Sequence, residues 1–215
     1  KVDRLKTPIL SVEGVSKSFP GVQALDNVSL EVSPGEVLVL VGENGAGKSS
    51  LMKILSGIYA KDSGTVRLGG EEVDITSPLQ ALELGISIIH QEMNLMPDLT
   101  VAQNMWIGRE PRTAGILAEA DLNKRTQNFL DEAGIALDPK ETVGNLSVAR
   151  QQMVEIAKAL SYDARVLIMD EPTSALTEKE VETLMGLIEQ LKEQGKAIIY
   201  ISHRMDELNR LAARV

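Results

Sequence analysis

One stretch, Val37 to Leu55, limits most tightly what this chain can fold into. The apolar run Val37-Leu38-Val39-Leu40-Val41 leads into Gly42-Glu43-Asn44-Gly45-Ala46-Gly47-Lys48-Ser49 and then into Ser50-Leu51-Met52-Lys53-Ile54-Leu55. This order predicts a buried strand, a glycine-rich loop and a helix, with the loop matching the phosphate-cradling spacing G-x-x-x-x-G-K-[ST]. Glycines let the backbone take positive φ and approach a ligand with no Cβ in the way. At the start of a helix the unpaired N–H groups and the macrodipole favour an anion of phosphate size. Lys48 adds a point charge for β- and γ-phosphates, and the Ser49 hydroxyl can ligate Mg²⁺.

Around this unit the hydrophobic pattern changes period. Leu10 and Val12, then Val28, Leu30 and Val32, alternate with polar residues, predicting half-buried antiparallel strands from Ile9 to Val32 with a turn at Phe19-Pro20-Gly21. Val66, Leu68, Gly69-Gly70 and Glu71-Glu72-Val73 read as a hairpin. Ser77-Pro78-Leu79-Gln80 combines a serine cap, proline at the first helical position and glutamine three residues after the cap, so a short helix closed by Gly85 is expected. Ile86-Ser87-Ile88-Ile89 then reads as a buried strand delivering His90, Gln91 and Glu92 to its carboxyl end, where ligands sit in open α/β sheets.

Strand signals stop between Met93 and Gly134. Thr100 with Gln103 forms a capping box, and Asp121 is expected to open a helix whose Leu122, Phe129, Leu130 and Ala133 run down to Gly134. Met93, Met96, Met105 and Trp106 cluster there, as an adaptable surface for a partner or as packed core. Ser147 can cap a helix bearing Met153, Ile156, Ala157 and Leu160 on one face, which offers a second potential anion site. Val166-Leu167-Ile168-Met169 is an unbroken apolar strand ending in Asp170-Glu171-Pro172. Thr177 with Glu180 opens a helix from Glu178 to Gln194, stopped by Gly195, and the strand Ala197-Ile198-Ile199-Tyr200-Ile201 ends in Ser202-His203.

Composition narrows the function classes. The 215 residues, 43% hydrophobic, suffice for one α/β domain with an elaboration or for two subdomains. Apolar runs of about five residues fall far short of the roughly 20 that cross a bilayer, and no n-region followed by an h-region opens the chain. A soluble chain with nothing directing it to export is therefore expected. Cysteine is absent, which excludes disulfides and thiolate metal sites and is compatible with the cytosol. A net charge of −9 without a Lys/Arg cluster disfavours nucleic acid as a partner.

Several residues at strand ends and turns can carry chemistry. Two adjacent carboxylates, Asp170 and Glu171, directly after a buried strand are costly unless they meet a cation. Mg²⁺ at Ser49 would give one of them a metal to serve; the other reading is a capping acid beside a solvated one. His203 could donate to a γ-phosphate or be a satisfied structural histidine. Phe19 could stack on a nucleotide base or plug the edge of the small sheet.

The ordered set of the loop, Gln91, Leu146-Ser147, Met169-Asp170-Glu171, Ser174-Ala175-Leu176 and His203 closely resembles the ATP-binding cassette (ABC) ATPase domain over nearly the whole chain. Within that family, the loop, Ile89 to Leu95, Gln152 to Ser161 and Tyr200 to Met205 are similar to the first ATPase domain of bacterial monosaccharide importers of the ribose, galactose and xylose type, proteins with two fused ATPase domains. The resemblance implies an α/β fold, a P-loop NTPase of ABC type with a mostly parallel core sheet, an antiparallel β layer and an inserted helical subdomain. It implies an ATP-binding core over 1–91 and 162–215, lacking its C-terminal strands, and a helical subdomain with the signature helix over 92–161.

Residue by residue, the same resemblance implies that Phe19 stacks on adenine and that Gly42, Glu43, Asn44, Gly45, Ala46, Gly47, Lys48, Ser49 and Ser50 hold the triphosphate. Gln91 would ligate or sense the metal and the attacking water and report to the permease. Asp170 would hold Mg²⁺ through water, Glu171 would act as general base and His203 would contact the γ-phosphate. Ser147 would serve ATP held by a second ATPase domain, either fused or a second copy. The implied cofactors are ATP and Mg²⁺. The implied partners are membrane permease subunits and, indirectly, a periplasmic sugar-binding protein, with the chain peripheral on the cytoplasmic face of the bacterial inner membrane. Its implied work is ATP hydrolysis that powers monosaccharide import. An ABC ATPase moving another solute or acting outside transport, and a clamp that binds ATP without efficient hydrolysis, are the alternatives.

Two departures from the family pattern stand out. The signature usually reads Leu-Ser-Gly-Gly-Gln, whereas here it is Leu146-Ser147-Val148-Ala149-Arg150. Val148 and Ala149 place Cβ atoms where a γ-phosphate comes close, so a weakened half-site is expected. The chain begins at Lys1 and stops at Val215, where the family continues, so a fragment of a longer protein is expected.

Overall fold

A computed structural model describes residues 7–42, 45–90, 93–113, 116–202, 207 and 211. The chain divides into two compact units, Lys1–Ile88 with Ala164–Glu171 and Ile188–Val215, and Ile89–Asp163 with Pro172–Leu187. In chain order the first brings β1 (Leu10–Phe19), β2 (Val22–Val32), β3 (Val37–Leu40), α1 (Lys48–Leu55), β4 (Ser63–Leu68), β5 (Glu71–Glu72), α2 (Pro78–Glu83) and the start of β6 (Ile86–Ile89). Next come α3 (Val101–Trp106), β7 (Arg112–Thr113), β8 (Ile116–Leu117), α4 (Glu119–Glu132) and α5 (Val148–Leu160) in the second unit. Beyond them lie β9 (Val166–Asp170), α6 (Glu178–Glu193) and β10 (Ala197–Ile201).

The period-two segments form an antiparallel sheet in the order β2-β1-β4-β5. β1 and β2 pair from Leu10 opposite Val32 to Phe19 opposite Val22. Gly69 and Gly70, at φ 62° and 88°, close the β4–β5 hairpin in the primed-turn conformation that suits the strand twist. The core sheet has the order β3-β10-β9-β6, with β10 parallel to both β3 and β9. Residues Val166, Ile168, Ala197, Ile199 and Ile201 share one buried cluster with Leu51, Met52, Ile54 and Leu55 of α1 and with Leu10, Val12, Val66 and Leu68 of the antiparallel layer. Leu167, Met169, Ile198 and Tyr200, on the alternate positions, are buried as well. Parallel strands covered on both faces need apolar residues at every position, which explains the unbroken runs.

In the second unit α3 starts with the anticipated capping box, Thr100 and Gln103 each bonding the other's backbone N–H. Buried Asn104 organises the approach to α3: its Nδ2 donates to the carbonyls of Met96, Leu99 and Thr100, and its Oδ1 accepts from Met96 N at 2.8 Å. Trp106 Nε1 donates to Thr126 Oγ1 (3.0 Å), which donates to Leu122 O (2.7 Å), so the indole joins α3 to α4. Arg109 ties the end of α3 to the end of α5, lying 3.6 Å from the Tyr162 ring and donating to Ser161 O, Ser161 Oγ and Met105 O. Burial pushes its guanidinium below the ordinary value. The methionine cluster divides, with Met105 and Trp106 in the core and Met96 exposed.

Three local expectations need correction. α4 begins at Glu119, not Asp121; Ala118 at its N-cap supplies no side-chain bond, and Glu119 and Asp121 together compensate the first turn. The stretch read as free of strands contains the β7–β8 hairpin, whose two-residue strands are too short to show a period. At α2, Ser77 Oγ accepts from Gln80 N as expected, but Gln80 Oε1 turns to Thr76, which offers both N–H and O–H at 2.8 Å.

Candidate functional site

The register of the core sheet decides which residues can meet. Ile201 of β10 lies opposite Leu40 of β3 on one side and opposite Asp170 of β9 on the other. The glycine-rich loop and the Asp170-Glu171 pair therefore leave the sheet at the same carboxyl edge. Both belong to the first unit.

Within the loop, Gly47 is the N-cap of α1 at φ 83°. A Cβ there would lie 2.4 Å from Ala24 O and 2.8 Å from Leu25 Cδ2. Only glycine satisfies both the left-handed backbone and this contact with β2. Lys48 Nζ donates to Gly42 O at 2.5 Å, so the ammonium folds back across the loop. Ser49 is exposed and Ser50 half-buried.

The first turn of α1 differs from that of the other described α-helices. α2, α3 and α5 begin with hydroxyl caps from Ser77, Thr100 and Ser147, and α4 and α6 carry acids in their first turns. α1 has no side-chain cap and no acid in its first turn. A positive helix end without such a cap or acid suits an anion.

At the end of β9, Asp170 and Glu171 are half-buried. Glu171 takes φ 48°, and its N–H donates to Ile201 O at 3.0 Å. Among the described residues no three carboxylate or imidazole groups converge. The Ser49 hydroxyl and the Asp170 carboxylate are hard oxygen donors, the type that fits Mg²⁺.

Phe19 sits half-buried at the tip of the β1–β2 hairpin. Its ring meets Tyr59 edge-on, with centroids 5.2 Å apart at 67°, and Lys17 Nζ lies 5.5 Å from its centre. Lys17 in turn reaches Asp62 Oδ1 at 2.7 Å, and Ser18 N donates to Asp62 Oδ2 at 2.7 Å. These bonds hold the Asp62 carboxyl below its ordinary value. Tyr59 and Asp62 carry no motif in the sequence, because they matter only through contacts to a hairpin tip 40 or more positions earlier, Tyr59 to Phe19 and Asp62 to Ser18.

Ser147 belongs to the second unit. Its Oγ accepts from Arg150 N at 3.4 Å, Val148 follows at 57% exposure, and Arg150 binds both oxygens of Glu141 at 3.2 and 2.9 Å. Glu43, Asn44, Gln91 and His203 lie outside the described residues.

Residues 25–174 match the family model described as ABC transporter. A putative ribose/galactose/methyl galactoside import ATP-binding protein of Albidiferax ferrireducens is 56% identical over 97% of this chain and 42% of its own length. The chain spans about two fifths of the length of the curated relatives it matches. Among solved structures, a nucleotide-free ATP-binding cassette from an ABC transporter superposes with a TM-score of 0.82 at 25% identity, covering 95% of this chain and 85% of that one. A bacterial ABC transporter cassette solved as a dimer superposes with a TM-score of 0.80 at 25% identity over 94% of this chain and 90% of that one.

Proposed function

Because the chain belongs to the ABC transporter family, we propose that it binds ATP at the loop from Gly42 to Ser50 and hydrolyses it to drive a membrane permease, with a monosaccharide as cargo. The observation that carries the site is the first turn of α1, which has neither a side-chain cap nor an acid and whose N-cap Gly47 leaves no room for a Cβ. The names of the relatives support the cargo.

The loop's N–H groups orient the triphosphate, and Lys48 leaves the Gly42 carbonyl to neutralise β- and γ-oxygens. Phe19, backed by Tyr59, offers a face to the adenine. Glu171 accepts a proton from the attacking water; the water oxygen bonds to the γ-phosphorus as the bond to the β–γ bridging oxygen breaks, and ADP leaves with that electron pair. Ser49 and Asp170, with Gln91, would hold Mg²⁺, which when bound neutralises charge building on the phosphate oxygens. His203 would contact the γ-phosphate.

Ser147 would serve ATP bound to a second ATPase domain, fused or a second copy, and the permease would be met on the cytoplasmic face of the membrane. A periplasmic binding protein would deliver the sugar. None of the described helices is long and apolar enough to cross a membrane, in keeping with a peripheral role.

Fluorescent-nucleotide binding and phosphate release, measured together in the complete protein, test this reading. Lys48→Ala should lose both. Glu171→Gln should keep binding while phosphate release falls about a hundredfold. Equal release by Glu171→Gln and wild type would remove Glu171 from the base role. Wild type that binds ATP and releases no phosphate would favour the clamp.

A further inference from the structure

Tyr200, Ser202 and Glu207 form a buried polar cluster that none of the roles above uses. Glu207 is 1% exposed, Tyr200 0% and Ser202 3%. A single carboxylate oxygen, Glu207 Oε2, accepts from Tyr200 Oη at 2.9 Å and from Ser202 Oγ at 2.8 Å. A buried carboxylate is costly even with two such bonds, and an apolar side chain would fill the space at less expense. The arrangement therefore needs a reason beyond packing.

The two hydroxyls bracket the end of β10, Tyr200 within the strand and Ser202 just after it. Tyr200 and Ser202 flank Ile201, whose carbonyl accepts the Glu171 N–H at 3.0 Å. That hydrogen bond holds a glutamate backbone in the left-handed region, at φ 48°, where a long side chain does not settle unaided. Fixing both neighbours of Ile201 fixes the direction of its carbonyl. The carbonyl in turn sets the conformation from which the Glu171 carboxylate projects.

We propose that Glu207 is a positioning residue: through the hydroxyls of Tyr200 and Ser202 it locks the end of β10, and through Ile201 O it aims Glu171. The inference rests on the reading of Glu171 as the base. Acting through another residue, Glu207 should affect the rate of the chemical step and leave nucleotide affinity alone.

The test is steady-state ATP turnover of the complete protein carrying Tyr200→Phe with Ser202→Ala, alone and combined with Glu171→Gln. Removing two hydroxyls leaves the side-chain volumes nearly intact, and Glu207→Gln, whose amide oxygen can still accept both bonds, serves as the conservative companion. The double variant should lower kcat about tenfold with KM for ATP within about twofold of wild type, and Glu207→Gln should retain a larger share of kcat. In the Glu171→Gln background the same two substitutions should cost nothing further, because residues acting as one unit are not additive. If the double variant turns over like wild type while Glu171→Gln is inactive, Glu207 does not position the base. An equal further loss in the Glu171→Gln background would make the cluster a general scaffold and overturn the inference. Full turnover by Glu171→Gln alone would end both this inference and the base assignment beneath it.

Discussion

Three residues other than glycine have positive φ among those described, Asn27 and Asp163 at 51° and Glu171 at 48°. Asn and Asp visit this region readily because a short polar side chain can bond its own backbone; glutamate cannot, and the conformation costs it roughly 1–2 kcal/mol. Strain of this kind persists where the surroundings over-determine it, and such places cluster at functional sites. Replacing Glu171 with glycine relieves the strain and removes the carboxylate, so the two consequences separate. Glu171→Gly should melt at or above the wild-type temperature while phosphate release disappears; Glu171→Ala should lose release with no gain in Tm. A Glu171→Gly protein that melts well below wild type would show that the carboxylate is a structural support and not a strained functional group. The sequence marks Glu171 by its place after an apolar strand, but its backbone angle depends on the Ile201 carbonyl, 30 residues on, and could not be read locally.

At the scale of elements, what the chain announces is short-range. The caps at Ser77, Thr100 and Ser147 and the Thr177–Glu180 pair are spacings of three, and each forms the expected local bond or its near neighbour. The brace under the β1–β2 hairpin was illegible because Asp62 reaches back to Lys17 and Ser18 from after α1. That brace has a pH signature. The Lys17 ammonium and the Ser18 N–H hold the Asp62 carboxyl below its ordinary 3.8, so the folded state binds this proton less readily than the unfolded chain. Its contribution is complete above the ordinary carboxylate range and is lost as pH falls through the lower folded value. Thermal melts between about pH 6 and pH 2 should show Asp62→Asn losing less stability on acidification than wild type. Parallel curves would mean that the Lys17 contact is too solvated to matter.

For the molecule as a whole, strand order is what no local pattern reveals. β3 and β9 lie more than 120 residues apart in sequence, yet β10 brings their ends level, and only packing on both faces selects that order. The two units also divide the proposed work between copies or domains. The loop, Asp170 and Glu171 belong to one unit, and the Ser147 helix start, exposed Val148 included, belongs to the other. If a second copy supplies the signature, turnover per chain should rise with chain concentration, vanish in Lys48→Ala, and rise again in a Val148→Gly, Ala149→Gly variant. Two Cβ atoms removed from the approach to a γ-phosphate let backbone N–H groups come closer, and one improved charged hydrogen bond of about 1.4 kcal/mol corresponds to a tenfold gain in rate. Turnover that stays at the level of the Lys48→Ala blank at all concentrations would mean that this chain does not complete its site with a second copy. A rise with concentration but no response to the glycines would mean that the Val148-Ala149 signature already approaches the phosphate as closely as the usual one, and that the departure in sequence carries no weakening.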